Sequence, residues 1–375
     1  MHSTRVALGA ALIVCVTLLA PVIGETPAVS ALAGRRAPRI TVAFTGDFLA
    51  TQATWGVAHR NAGGTGYDFT PMLRPLGKLT RSADLAICHL ETPLTGRGVR
   101  LSDYPRYAVP HQLADAIAQA GYDACSTASN HSLDHGLAGI RTTLDRLDSL
   151  GLGHTGTARS RSEAARTTRY RVGEAVVAHL SYTASFNGLT PRHAWEANRI
   201  DAERIITKAR RARRHGVDIV VLSLHWGTEH RHAPTTEQRA LAGRLTSSRA
   251  IDLIVGHHAH VIQPVVRVHW RYVAYGLGNS LSGMMGASFA PTVQDGMVLL
   301  VTFERGPRKW HVRRVRYAPT WVQSGGFVVR LVAPAIDSGR LPPTVIQQLR
   351  RSWRRTVTTV DGTRFGVTPF RRARL

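Results

Sequence analysis

Arg39-Ile40-Thr41-Val42-Ala43-Phe44-Thr45-Gly46-Asp47 is the stretch whose reading decides the fold. It is an apolar-rich run that closes on a turn signal carrying a carboxylate, as a buried strand of an open sheet does. The pattern recurs. Residues 84–90 form a second run ending at Glu91, 123–128 a third leading into Ser129-Asn130-His131, and 217–224 a fourth ending at His225. A fifth run, 251–255, opens into Gly256-His257-His258-Ala259-His260. Strands of one open sheet deliver their carboxyl ends to a common crevice, so these polar residues are expected to meet in space.

Between the runs, apolar periodicity predicts helices near 111–120, 137–150, 199–215 and 236–248; Leu144, Leu147 and Leu150 make an apolar stripe on the second. Shorter strands are expected over 169–181. From 261 to 317 the segments 261–268, 271–275, 296–303 and 310–317 read as successive antiparallel strands of a meander. One more strand-like run, a helix near 343–356 and a basic tail follow. Alternating β and α elements followed by strands alone point to an α/β fold with two packed sheets flanked by helices. No internal repeat of fixed short period is visible.

The 375 residues, 43% hydrophobic, suffice for one large domain with small extensions. Its expected bounds are 35–322, with an amino-terminal segment 1–34 before it and a basic extension 323–375 after it. In the first segment His2 and Arg5 precede an apolar run from Val6 to Ile23, and small residues follow around Ala28 to Ala33. That is the layout of an export signal; an uncleaved membrane anchor is the alternative, because the run is close to the roughly 18 residues that span a bilayer. Either way the folded part is expected outside the cytoplasm, secreted or held at the cell membrane. Cys15 lies within the apolar run. Cys88 and Cys125 fall in predicted core strands, which excludes a disulfide scaffold and leaves buried free thiols as the principal reading and a single bridge between neighbouring strands as the other.

The formal charge is +24, almost all of it arginine, clustered at Arg35-Arg36, Arg210 to Arg214, Arg350 to Arg355 and Arg371 to Arg374. Such a surface attracts polyanions, although coding bias toward arginine on solvated faces would leave the same trace. No base-reading module is present, so a nucleic-acid function is excluded. Gly151-Leu152-Gly153-His154-Thr155-Gly156 matches a dinucleotide-binding spacing but follows a helix rather than a strand, and fails on context.

Two divalent ions roughly 3.5–4 Å apart need a bridging carboxylate, terminal oxygen and nitrogen ligands, and open positions for water and substrate. Asp47 and Glu91 supply the carboxylates, and His225, His258 and His260 supply imidazoles that favour manganese, iron or zinc over magnesium alone. In His258-x-His260, strand alternation would point both rings to one face. The amide oxygen of Asn130 is a further ligand, while His131 is free to bind substrate or protonate a leaving group, with Asp134 placed to orient it.

The ordered series Gly46-Asp47, Leu90-Glu91-Thr92-Pro93, Ser129-Asn130-His131-Ser132-Leu133-Asp134-His135-Gly136, His225-Trp226-Gly227-Thr228-Glu229, Gly256-His257-His258-Ala259-His260 and Tyr275-Gly276-Leu277-Gly278-Asn279 resembles the bacterial capsule synthesis family CapA, also called PgsA. The resemblance covers roughly residues 39–320. It implies a four-layer α/β/β/α sandwich of the calcineurin-like metallophosphoesterase type, two divalent ions with manganese foremost, and a role in making or exporting the anionic polymer poly-γ-glutamate beside membrane synthetase partners. By the same resemblance Asp47 is the first-strand ligand, Glu91 the bridging carboxylate, Asn130, His225, His258 and His260 the remaining ligands, and His131 the acid. It also places Asn279 at the rim, His257 behind the ligands, and Glu229 against His225 or a water. Three positions depart from the family pattern. His89 stands where asparagine is usual, which puts the contacts around it in doubt; Gly276 replaces a serine. Leu49 occupies the histidine place of the Asp-x-His motif of ordinary phosphatases, an absence the family shares. Two functions of different class follow: a metal-dependent hydrolase of phosphoester-type bonds, and a non-catalytic component of an envelope-polymer complex that handles an acidic polymer with its arginine surface.

Overall fold

The computed structural model describes residues 37–96, 98–360 and 365–370. The chain from Ala37 onward forms one unit. The expected signal or anchor and the arginines at 371–374 lie outside the described residues.

The Arg39–Leu49 strand is central to a nine-stranded sheet. On one side it runs parallel to Leu85–Leu90, followed by the parallel strands Ala124–Ser126 and Gly153–Thr155. On the other it pairs antiparallel with Asp295–Arg305, which pairs with Trp310–Val322. At its carboxyl end it changes partner, and Asp47–Leu49 lies parallel to Asn279–Ser282. The second sheet has six strands in the order Val265–Val268, Arg271–Ala274, Leu253–His257, Ile219–His225, Ala175–Thr183, Thr168–Val172. Its four inner strands are parallel.

The two sheets face each other across an apolar layer in which Val42, Phe44 and Ile87 share a cluster with Val177, Val221 and Val255. Leu73, Leu113, Ile140 and Leu144 cover the outer face of the first sheet, and Ile205, Ala209, Ala242 and Leu245 that of the second. The result is a four-layer α/β/β/α sandwich. Each fully buried Val, Leu, Ile or Phe contributes roughly 1.5–3 kcal/mol relative to exposure. Local sequence agrees with this layering. Helix Ala202–Arg214 starts at Asp201, whose side chain accepts from the Arg204 N–H, and buries Ile205, Ile206, Ala209 and Ala212, while Arg204, Arg210, Arg211 and Arg214 are exposed and Arg213 turns in to Asp252. Helix Thr236–Ser247 starts with a capping box between Thr235 and Gln238.

The meander expected over 261–317 is corrected. Val265–Val268 and Arg271–Ala274 make a hairpin in the second sheet, whereas Asp295–Arg305 and Trp310–Val322 make a hairpin in the first. Strand Asn279–Ser282 carries the chain from one sheet to the other. The free-thiol reading is also overturned. Leu85–Leu90 and Ala124–Ser126 are neighbours with Cys88 opposite Cys125, and the two sulfurs are bonded. Beyond residue 323, helix Pro343–Val360 packs through Leu349 on Trp321 and Val332, and Val367–Pro369 joins the first sheet. Among the described residues no helix is long and apolar enough to cross a membrane.

Candidate metal centre

The centre sits where the carboxyl ends of both sheets meet. Asp47 reaches it because Gly46 lets two backbones touch: a Cβ on Gly46 would lie 1.9 Å from the Gly278 carbonyl oxygen. The Asp47 N–H donates to that oxygen at 2.9 Å. One carboxylate oxygen of Asp47 lies 3.1 Å from His257 Nδ1; the other accepts the His258 N–H at 3.0 Å and lies 3.3 Å from His260 Nδ1. Burial alone would raise the Asp47 carboxyl, but the hydrogen bonds from His257 and His260 outweigh it and hold the group well below the usual carboxylate range.

Glu91 is in the opposite state. Both its carboxylate oxygens are buried and have no hydrogen-bond partner among the described residues. Its Oε1 lies 3.6 Å from His260 Nε2 and 3.8 Å from His225 Nε2, too far for hydrogen bonds. Burial pushes its carboxyl well above the usual range; His260 pulls it down, while Asp47 and Glu229 push it further up. Two donors that each approach one cation at about 2 Å sit about 3–4 Å apart, so these spacings suit an ion shared by Glu91 and the imidazoles.

The imidazoles come from strand ends and one tight turn. His225 closes its strand, with Nε2 2.8 Å from Asn130 Oδ1 and Nδ1 2.9 Å from His89 Nε2. His89 Nδ1 lies 2.8 Å from Ser126 Oγ, and its ring stacks on His257 at 4.0 Å between centroids. The strand alternation expected to align His258 and His260 does not apply. The strand ends at His257, and both residues lie in a turn with φ of 86° and 54°. The left-handed turn, rather than the pleat, brings the rings to one side. His260 Nδ1 is 3.0 Å from Asn279 Oδ1.

Burial, with repulsion from neighbouring imidazoles, holds His89 and His225 well below the ordinary histidine range. Burial and His260 bring His258 down to about 4. These three rings are neutral, as metal ligands must be. For His260 burial works downward but Glu91 and Asp47 prevail and push it up to about 10, so without metal a proton there balances the carboxylates.

His131 Nδ1 lies 2.8 Å from Asp134 Oδ2, which also accepts the Tyr107 N–H at 2.7 Å. The Tyr107 ring meets the His131 ring edge to face at 4.7 Å.

Thus the structure brings together Asp47, Glu91, Asn130, His225, His258 and His260, with His131 and Asp134 alongside. Ligand atoms fall into three groups, each within 4.8 Å: Asp47, Glu91 and His260; Glu229, His258 and His260; Asp47, His89 and His257. This buried His/Asp/Glu cluster fits a divalent metal site, and the orphaned carboxylate of Glu91 and the unpartnered His258 Nδ1 are what a cation would satisfy. Two placements, of Asn279 and Glu229, differ from expectation. Asn279 is fully buried beneath His260 instead of at the rim, because its strand pairs with Asp47. Glu229 groups with His258 and His260 rather than with His225. His89 and His257 stand directly against ligand candidates, His89 on His225 and His257 on Asp47. The reading also missed Tyr107, for which a lone tyrosine far from any motif gives no signal.

Comparison with known proteins gives a family and several relatives. Residues 41–284 match the model of the family described as "Bacterial capsule synthesis protein PGA_cap". The chain is 25% identical over 282 residues to the capsule biosynthesis protein CapA of Bacillus anthracis, covering 72% of this chain and 66% of that one. It is 29% identical over 204 residues to the PGA biosynthesis protein CapA of Bacillus subtilis, covering 53% of each. It therefore spans less than two thirds of the length of either relative. Among solved structures it is similar to the calcineurin-like phosphoesterase YfkN of Bacillus subtilis, with a TM-score of 0.46, 13% identity, and coverage of 86% of this chain and 98% of that one. With more than half of its length matched by the family model, the chain belongs to the bacterial capsule synthesis protein family PGA_cap.

Proposed function

We propose that this chain is an exported component of poly-γ-glutamate capsule synthesis whose buried centre binds two divalent ions, manganese foremost, and hydrolyses a phosphoester-type bond. The observation that carries the reading is Glu91, a buried carboxylate with both oxygens unpartnered and imidazoles on two sides. A structural carboxylate at that depth would be hydrogen-bonded or replaced by an apolar residue; one kept bare is matched to a cation. When bound, the ions would supply Lewis-acid polarisation of the scissile group and a water of lowered pKa.

The chain's own residues supply the rest. Asp134 fixes the His131 ring through Nδ1, which leaves Nε2 to hold or give a proton to a leaving oxygen. Tyr107 locks that pair from the backbone side and by its ring edge. Asn130 and His225 hold each other at 2.8 Å, so the amide oxygen presents one fixed direction. Residues 1–34 act as signal or anchor, 35–322 as the catalytic domain and 323–375 as a basic extension in this reading. The Cys88–Cys125 bridge supports export, since buried bridges persist in oxidising compartments.

Metal analysis of the purified protein beside a Glu91→Ala, His258→Ala double variant tests the centre. The expected result is about two equivalents of manganese, iron or zinc, lost in the variant. Sub-stoichiometric metal unchanged by the variant would overturn it. The second reading, a non-catalytic polymer-binding component, is favoured by the charge of +24, and it gains if metal binds but no phosphodiester is turned over.

A further inference from the structure

A second feature lies at the side where the edge strands of the two sheets come together. Gly153–Thr155 is the edge of the first sheet and Thr168–Val172 that of the second, and Thr168 Oγ1 donates to the His154 carbonyl at 3.0 Å. Three cavities of about 510, 460 and 380 Å³ open there. They are continuous by their walls: Asn198 and Lys208 line the first and second, and Arg166, Thr167 and Arg169 the second and third. Each of the three cavities in this cleft is larger than a single small anion requires.

Its charge is nearly all of one sign. Asp148 and Glu163 line it, but Arg159 engages both, at 2.7 and 2.5 Å, and His154 Nε2 lies 3.0 Å from Asp148. Arg204 pairs with Asp201 at 3.4 Å, whereas no carboxylate pairs with Lys208, Arg169 or Arg211 among the described residues. Lys208 Nζ donates to the Ala164 carbonyl at 3.0 Å, Arg211 to the Ala165 carbonyl at 2.5 Å, and Arg169 to the His215 carbonyl at 3.3 Å. Those bonds fix the direction of each head without neutralising it. Lys208 is half-buried, and burial together with Arg211 holds its ammonium below the ordinary lysine range. Cations held together in a recess without counter-ions raise the local concentration of anions. Thr157 lines both this cleft and a small cavity that Glu91 and Thr127 also line, so one residue separates the cleft from the cavity beside Glu91.

We infer that this cleft, anchored by Lys208, Arg169 and Arg211, is the binding track for an acidic linear polymer carrying regularly spaced carboxylates. The inference rests on the polymer-synthesis reading above and adds the site. Guanidinium groups fixed at intervals suit carboxylates, which they bind two-pronged. The 460 and 380 Å³ cavities include no Phe, Tyr or Trp in their linings, so they offer none of the stacking platforms that single-stranded nucleic acid uses.

The test is binding of poly-γ-glutamate to the full chain at low ionic strength, with polyphosphate as a second probe. An Arg169→Glu, Arg211→Glu variant and a Lys208→Met variant are compared with Arg350→Glu, Arg354→Glu, an equal charge change on the exposed face of the Pro343–Val360 helix. Lys208→Arg restores charge and guards against a folding defect. The expected result is at least about tenfold weaker polyglutamate binding in the cleft variants, recovery in Lys208→Arg and less than about twofold change in the helix variant. Equal loss in cleft and helix variants, or no loss in the cleft variants, overturns the site and leaves the polymer reading standing. Absence of polyglutamate binding by the unaltered chain overturns both. Polyphosphate binding that depends on the cleft where polyglutamate binding does not would overturn the carboxylate assignment.

Discussion

Glu91 is the residue at which stability and chemistry oppose each other. Burial without hydrogen bonds destabilises the metal-free chain, so Glu91→Gln is expected to raise metal-free stability by about 1–3 kcal/mol while weakening metal binding, as denaturation with and without chelator would reveal. A variant less stable under both conditions would contradict this account. The imidazoles predict a pH profile. His89, His225 and His258 have folded values below their unfolded value of 6.5, so each takes up a proton on unfolding as pH falls. Metal-free stability should therefore be complete above about pH 6.5 and decline below it, by up to about 1.4 kcal/mol per pH unit for each ring. Urea midpoints between about pH 7 and pH 5 check this. His260 runs the other way: its contribution is whole below 6.5 and lost as pH rises through about 10. Replacing its proton by a cation should release about one proton per site at neutral pH, measurable by calorimetry in buffers of different ionisation enthalpy. His131→Ala should lower phosphodiester turnover by about 10²–10⁴-fold with metal content unchanged. Most donors were legible because Asp47, Glu91, Asn130 and His225 each close an apolar run. The places of Asn279 and Glu229 were not, since a register between strands far apart in the chain and the path of one turn decide them.

At the scale of elements, two contacts set the geometry. Gly46 and Gly256 each let a backbone carbonyl approach where a Cβ would sit 1.9 or 1.8 Å away. Gly46→Ala should cost about 1–3 kcal/mol and reduce metal content, because the strand that places Asp47 beside Asn279 must move. Retained metal at native stability would show that the close approach is dispensable. The Cys88–Cys125 bridge joins the strand leading into Glu91 to the strand leading into Asn130. Reducing it should cost about 3–4 kcal/mol, seen as a lower denaturant midpoint, and should loosen metal binding. The strands Arg39–Leu49, Leu85–Leu90, Ile219–His225 and Leu253–His257 and the helices Gln112–Gln119, Gly136–Ser149, Ala202–Arg214 and Thr236–Ser247 could be read from periodicity alone, whereas helix Gln52–Asn61 and the short strand Gly153–Thr155 could not. The two hairpins could not be assigned to separate sheets, because an antiparallel pair looks the same in sequence whichever sheet receives it. Which way the two thiols stood depended on strand order, which short strands such as Ala124–Ser126 do not announce.

For the whole molecule, donors from two sheets would make bound metal a fastener between halves of the sandwich. Chelation should then lower global stability, by about 2.7 kcal/mol for a site held at a hundred times its dissociation constant, and thermal melts with and without chelator would measure it. An unchanged melt would mean the sheets hold each other without help. The polar crevice was foreseeable from many strand ends at once, whereas the cleft between edge strands was not, because its cations come from elements that share no motif. The partner change of the first strand has one more consequence. Asp47, made early in synthesis, is seated by Asn279 and the His258–His260 turn, made late. A chain cut short anywhere before that turn still contains Asp47 and Glu91 but lacks the clasp that closes on them. In the metal-binding reading, uptake would therefore be a test of completeness, by which an intact molecule could be told from a truncated one without reading its sequence.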